Sequence, residues 1–215
     1  MEENPQTISL RYYGISPWEI EVIYNIFNEK FEVIQDDPGK DGYFTKLGWN
    51  TDNEFVSAIT ITIPLPFSEE FFKWFGFKAW EKVKSIIKEM KRRRGNGKAI
   101  RVEFIFDNEE WHKLHGVILS DNAEILPDYP HVKFAIESSE NHNFNSAIEK
   151  IDFMVELLPY HLNHSKMKNW CKKPQQVNYG YDVHSGKWYV DIVARLTGYA
   201  ERGTRSFNID DLRDL

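Results

Sequence analysis

The chain predicts an α+β fold, a mostly antiparallel sheet covered on one face by helices. Three observations predict it. Phe55 to Ile63 alternates at the period of a strand, with Ile59, Ile61 and Ile63 on one side and Ala58, Thr60 and Thr62 on the other. An amphipathic helix follows over 69–94. Ala99 to Phe106 then alternates again, placing Ile100, Val102, Phe104 and Phe106 inward and Arg101 and Glu103 outward.

The elements follow in order. Residues 6–13 mix Ile8, Leu10, Tyr12 and Tyr13 with polar residues and read as a first strand, broken by Gly14. Ser16-Pro17-Trp18-Glu19 opens a helix: Ser16 caps it, Pro17 takes the first helical position and Glu19 completes a capping box. Ile20, Ile23 and Phe27 recur on one face to about residue 30. Phe31 to Gln35 is a short second strand. Residues 36–54 are dense in turn formers and read as a long loop or small hairpin.

Pro64 and Pro66 end the third strand. Ser68 then caps the helix over 69–94, and Phe67 and Phe72 have staple spacing. Its apolar stripe is Phe72, Phe75, Ala79, Val83, Ile86, Ile87 and Met90; Trp74 and Phe77 fall off that stripe. Lys91 to Arg94 complement the negative end of the helix dipole, and Gly95 stops it. Strand–helix–strand–strand–helix–strand is the ferredoxin-like (βαββαβ) order. Many unrelated functions use that order, so it carries little functional weight.

Beyond Asp107, residues 114–119 and 132–136 read as strands. Phe144, Ala147, Ile148, Ile151, Val155 and Leu158 mark a third helix ending before Pro159. Residues 161–176 are polar and irregular. Residues 177–183 and 187–196 form a hairpin around His184-Ser185-Gly186, and 203–215 is a tail. The expected organisation is an α+β domain over 1–140, a helix and hairpin extension over 141–205 packed on it, and an acidic tail over 206–215.

Bulk composition bounds the function. The 215 residues are 41% hydrophobic, enough for a sizeable core and against wholesale disorder. The single cysteine, Cys171, leaves no internal disulfide, which fits a reducing compartment. The polar amino terminus lacks signal-peptide regions, and no apolar run is long enough to span a bilayer. The expected location is the cytoplasm. The net charge of −6 hides an asymmetry. Residues 78–101 hold ten of the 27 cations and two of the 33 acids, so that window is +8 and the rest of the chain −14.

That window supplies the candidate anion or nucleic-acid site: Lys88, Lys91, Arg92, Arg93, Arg94, Lys98 and Arg101. Such cations neutralise phosphates; they equally complement a helix end or meet the chain's own acids. Asp107, Glu110, His112 and His115 bring acids and imidazoles together after a strand end, the residue types of metal-assisted hydrolysis. The same residues commonly start a turn. His161, His164 and Cys171 have zinc-ligand chemistry but no second cysteine pair to complete a set. No cofactor motif is present: Gly95-Asn96-Gly97-Lys98 follows a helix and precedes a strand, the reverse of a phosphate loop.

Partner binding has two candidate surfaces. One is the ring group Tyr43, Phe44, Trp49, Trp74 and Phe77, which would serve as interface anchors or as a satellite core. The other is the tail, where Ile209, Leu212 and Leu215 would line one side of a coil and dock in a groove, or pack on the chain itself. The leading expectation is a non-enzymatic binding or regulatory protein acting by protein–protein contact, a second copy of itself included. The alternatives are nucleic-acid binding or processing, and a metal-dependent hydrolase.

Overall fold

The computed structural model describes residues 6–36, 55–107, 130–170, 176–182, 186–194 and 203–212. Thr7–Tyr13 (β1) buries Ile8 and Leu10 on one face. Gly14 turns the chain at φ 62°, where a Cβ would lie 2.2 Å from the Val56 carbonyl oxygen, so only glycine fits. The expected capping box then starts Pro17–Asn28 (α1): the Ser16 hydroxyl accepts from the Glu19 amide, and the Glu19 carboxylate accepts from the Ser16 amide at 3.0 Å. Ile20, Ile23 and Phe27 are its buried stripe.

Glu32–Asp36 (β2) and Phe55–Ile63 (β3) follow. Ser68 caps Glu69–Phe75 (α2) by accepting from the Phe71 amide at 3.3 Å, and the Phe67 and Phe72 rings meet edge to face at 5.7 Å. The single helix expected over 69–94 is in fact two. Gly76 adopts φ 94°, outside any helical region, and Phe77–Arg94 (α3) starts anew. Ala99–Phe106 (β4) and His131–Ser138 (β5) are the next strands.

The third helix also divides, into Asn141–Lys150 (α4) and Met154–Asn163 (α5), with Ser165–Trp170 (α6) after it. Pro159 lies inside α5 instead of ending the helix. Met154, Leu158 and His161 bury one side of α5, and that packing carries the helix past the lost backbone bond. Gln176–Asp182 (β6) and Lys187–Ala194 (β7) form the expected hairpin. Gly203–Asn208 (β8) and a 3₁₀ turn, Ile209–Leu212, follow.

The described strands form one sheet in the order β2-β1-β3-β4-β5-β6-β7-β8. Three parallel pairs, β1/β2, β3/β4 and β5/β6, alternate with antiparallel ones, so the sheet is mixed rather than mostly antiparallel. The ferredoxin-like arrangement does not hold either. That fold splits each β-α-β unit by inserting a strand between its two strands. Here β1 and β2 are direct neighbours, as are β3 and β4, and the units meet across the antiparallel β1/β3 pair.

The core lies on one face. The register runs Leu10, Ile61, Phe104, Phe134, Tyr179, Val190, Phe207 across seven strands, and all of these are buried. Trp80 from α3 packs on Phe104 at 5.1 Å, and His161 from α5 hydrogen-bonds the Tyr179 hydroxyl at 2.9 Å. Phe27 of α1 stacks on Phe75 of α2 at 5.1 Å in the same buried cluster, so α1, α2, α3 and α5 all cover this face. Each fully buried large side chain contributes roughly 1.5–3 kcal/mol. The opposite face carries Arg11, Thr60, Glu103, Ala135, Gly180 and Tyr189 along the matching row.

Candidate functional site

The cationic window lies along α3 and its exit, and the chain's own acids meet most of it. Lys84, almost fully buried, is gripped by Glu81 at 2.6 Å, Asp152 at 3.0 Å and Glu149 at 3.4 Å. Burial pushes its ammonium down, but the carboxylates outweigh burial and hold it above its ordinary value. Lys88 pairs with Glu149. Lys91 is buried and donates to the Gly95 carbonyl at 2.7 Å, satisfying a helix-end acceptor; desolvation lowers its proton affinity.

Arg92 forks onto Glu89 with two bonds of 2.6 Å, and Arg93 reaches the same carboxylate at 2.9 Å. Those bonds pull Glu89 down to about 2. Arg93 also lies over the Trp18 ring, 4.5 Å from its centroid. Arg94 is pulled inward. It donates to Glu19 at 3.1 Å, to the Gly14 carbonyl at 2.9 Å, to the Met90 carbonyl at 2.8 Å and to Ser57. Arg101 holds Glu103 through Nε at 3.2 Å and Nη2 at 2.7 Å, and Lys133 adds a contact of 2.8 Å. Burial raises the Glu103 carboxyl, but Lys133 and Arg101 prevail and keep it below the usual carboxylate range. Lys98 is exposed on the turn after α3. A free basic patch is therefore not what this window forms: Lys88, Lys91, Arg92, Arg93, Arg94 and Arg101 are all engaged within the chain.

The hydrolase candidates divide. Asp107 is buried, and its Oδ1 lies 3.1 Å from His131 Nδ1, a carboxylate that orients an imidazole across the β4/β5 junction. Glu110, His112 and His115 lie outside the described residues. Among the zinc candidates, His161 is bonded to Tyr179, and His164 accepts from the Lys166 amide at 3.2 Å. Both imidazoles are buried. Cys171 lies outside the described residues. Among the described residues, no group of three or more His, Cys, Asp and Glu side chains is arranged to hold a metal.

The partner-binding candidates also divide. Ile209 and Leu212 are buried with Phe207, and the 3₁₀ turn packs on β7. This corrects the docking tail: strand pairing of β8 with β7 folds that segment onto its own body. Leu215, Tyr43, Phe44 and Trp49 lie outside the described residues. Trp74 and Phe77 are exposed, at 46% and 57%. Each also leans on the body, Trp74 edge-on to Phe31 at 4.9 Å and Phe77 stacked on Phe72 at 5.9 Å.

Sequence reasoning missed a third surface. Phe153, the residue that caps α5, and Leu157 and Tyr160 within it follow one another at spacings of four and three, and are 61%, 37% and 58% exposed. The signal was present, because these three fall off the buried Met154–Leu158–His161 side. Trp18, at the start of α1, is a further exposed ring. Among the described residues, no helix is long and apolar enough to cross a membrane. A comparison with known protein families, curated proteins and solved structures finds no match to this chain.

Proposed function

We propose that the chain is a protein-binding module that meets its partner through the outer surface of its helical layer. The observation that supports this reading is the exposed stripe Phe153, Leu157 and Tyr160. Helix α5 buries Met154, Leu158 and His161, and the stripe one residue round from them keeps much of its apolar surface exposed. Large rings on a rigid helix bind at low entropic cost and supply most of the energy at protein interfaces. Trp74 and Phe77, at the α2/α3 junction, extend the supply of exposed rings in the same layer.

The test is the variant Phe153→Ala/Leu157→Ala/Tyr160→Ala. Its thermal midpoint should stay close to that of the parent, since exposed truncations change stability by about 0.5 kcal/mol or less each. Sedimentation should show loss of any self-association of the parent, and affinity capture should show loss of its partner, with binding weaker by about 2 kcal/mol or more per anchor. A parent that is monomeric and captures nothing, or a variant that binds as the parent does, defeats the reading. The nucleic-acid alternative requires Arg92 and Arg93 to exchange Glu89 for phosphate. It predicts salt-sensitive DNA or RNA binding that weakens in an Arg92→Ala/Arg93→Ala variant, and no mobility shift at low salt removes it.

A further inference from the structure

Lys84, in the middle of α3, keeps only 1% of its side chain exposed and still holds three carboxylates. Glu81 belongs to α3 itself, Glu149 to α4, and Asp152 to the corner between α4 and α5. Taking such charges out of water is expensive, and apolar side chains of similar volume often replace a buried ion pair with no loss of stability. The best-attested return for a buried pair is geometric: it fixes one arrangement of the elements it joins.

The corner joined in this way has little capping of its own. α4 ends with Ile151 as its cap, and α5 starts after Phe153, whose backbone is already helical and whose side chain makes no cap bond. Ile151 and Met154 are buried beneath the corner, at 0% and 4% exposed. Apolar burial is non-directional, so these two set its depth. Asp152, between them, places both carboxylate oxygens 3.0 Å from Lys84 Nζ. Glu149 reaches Lys84 at 3.4 Å and also pairs with Lys88. These directional contacts set where the corner sits along α3.

Phe153 is the next residue after Asp152 and opens the exposed stripe. Leu157 and Tyr160 follow it on the same side of one helix, so the placement of the corner is carried into all three. Lys84 itself is enclosed, so any effect it has on a partner passes through the corner.

We propose that Lys84 is a positioning residue of the partner surface: by holding Asp152 and Glu149 it fixes the α4/α5 corner, and with it the direction in which Phe153, Leu157 and Tyr160 face. The inference rests on the helical-layer reading of the function, and two separate measurements keep the failure of one apart from the failure of the other.

Amide hydrogen exchange of the full chain reads the corner without a partner. In Lys84→Met, exchange over 151–162 should quicken at least about tenfold relative to the amides of α1 and β3, a selective opening of the corner. Ile8→Val, a small truncation of the core in β1, is the control for general destabilisation and should leave that ratio unchanged. Affinity capture then reads the surface. Lys84→Met should bind the partner at least about tenfold more weakly, while Ile8→Val binds as the parent does. If Lys84→Met fails to fold, Asp152→Asn, which keeps the shape and removes the charge, takes its place in both measurements. An unchanged exchange ratio in the folded variant, or capture equal to that of the parent, overturns the proposal and leaves the helical-layer reading standing. A parent that captures nothing, or capture undiminished in Phe153→Ala/Leu157→Ala/Tyr160→Ala, defeats the helical-layer reading and this inference with it.

Discussion

Glu19 joins two jobs in one side chain. It closes the capping box of α1, and it is the buried anion that receives Arg94 from the far end of α3. Only 2% of Glu19 is exposed, so its charge depends on that guanidinium. Arg94→Met should therefore lower stability by roughly 3–5 kcal/mol, the typical result of stranding a buried charge, as read from a urea midpoint at constant slope. The pH dependence follows from the same residues. Burial raises the Glu19 carboxyl, but bonds from Arg94 and Ser16 outweigh burial and hold it below its ordinary value. Glu103 is lowered in the same sense by Lys133 and Arg101. A carboxylate lowered in the folded chain contributes stability that is complete above its unfolded value, about 4.3 for Glu, and is lost as pH falls through the folded value. The urea midpoint should fall as pH drops below about 4.5, and a Glu19→Gln/Glu103→Gln variant should show a flatter acid limb. An unchanged limb would place the acid sensitivity in other carboxylates.

Capping is the most local of signals, and the elements it starts were legible. Ser16 and Ser68 begin their helices as the sequence predicts, because the donor, the acceptor and the staple lie within five residues of one another. The break at Gly76 was not read. One glycine in a helical pattern is read as a weak spot, and the stripe on either side still fits a single axis. Trp74 and Phe77, which fall off that stripe, flank the break and are exposed. At φ 94° an alanine is strained even though nothing crowds its Cβ. Gly76→Ala should therefore destabilise by about 1–2 kcal/mol, the typical penalty for a Cβ at positive φ, where the same change in a regular helix would stabilise by up to about 1 kcal/mol. A stabilised variant, measured by thermal melting, would mean that α2 and α3 join as one helix. The α5 stripe was missed for a related reason. Attention to the residues that a helix buries passes over the ones it leaves outside.

At the scale of the whole molecule, element order was legible and partnership was not. Split and unsplit β-α-β units share one order along the chain, and only the pairing of β1 with β2 separates them. The cationic window likewise looked free because Glu149 and Asp152, which meet Lys84 and Lys88, are more than 60 residues away. The tail shows the same limit: its apolar residues fit a docking coil or packing on the chain itself, and only the structure sets Ile209 and Leu212 in the buried core with the turn against β7. That placement makes a prediction for the entire sheet. Phe207 closes a buried row that begins at Leu10, and Leu212, in the turn that packs on β7, is buried too. If the eight strands share one core, Phe207→Ala or Leu212→Ala should each lower global stability by roughly 2–5 kcal/mol. Unfolding should remain a single transition, coincident by tryptophan fluorescence and far-ultraviolet circular dichroism, because the buried Trp80 and Trp188 pack on Phe104 and Phe134 of the same row. A terminal segment that merely rests on a finished domain would give a different result: little change in the main midpoint, and an early transition of its own.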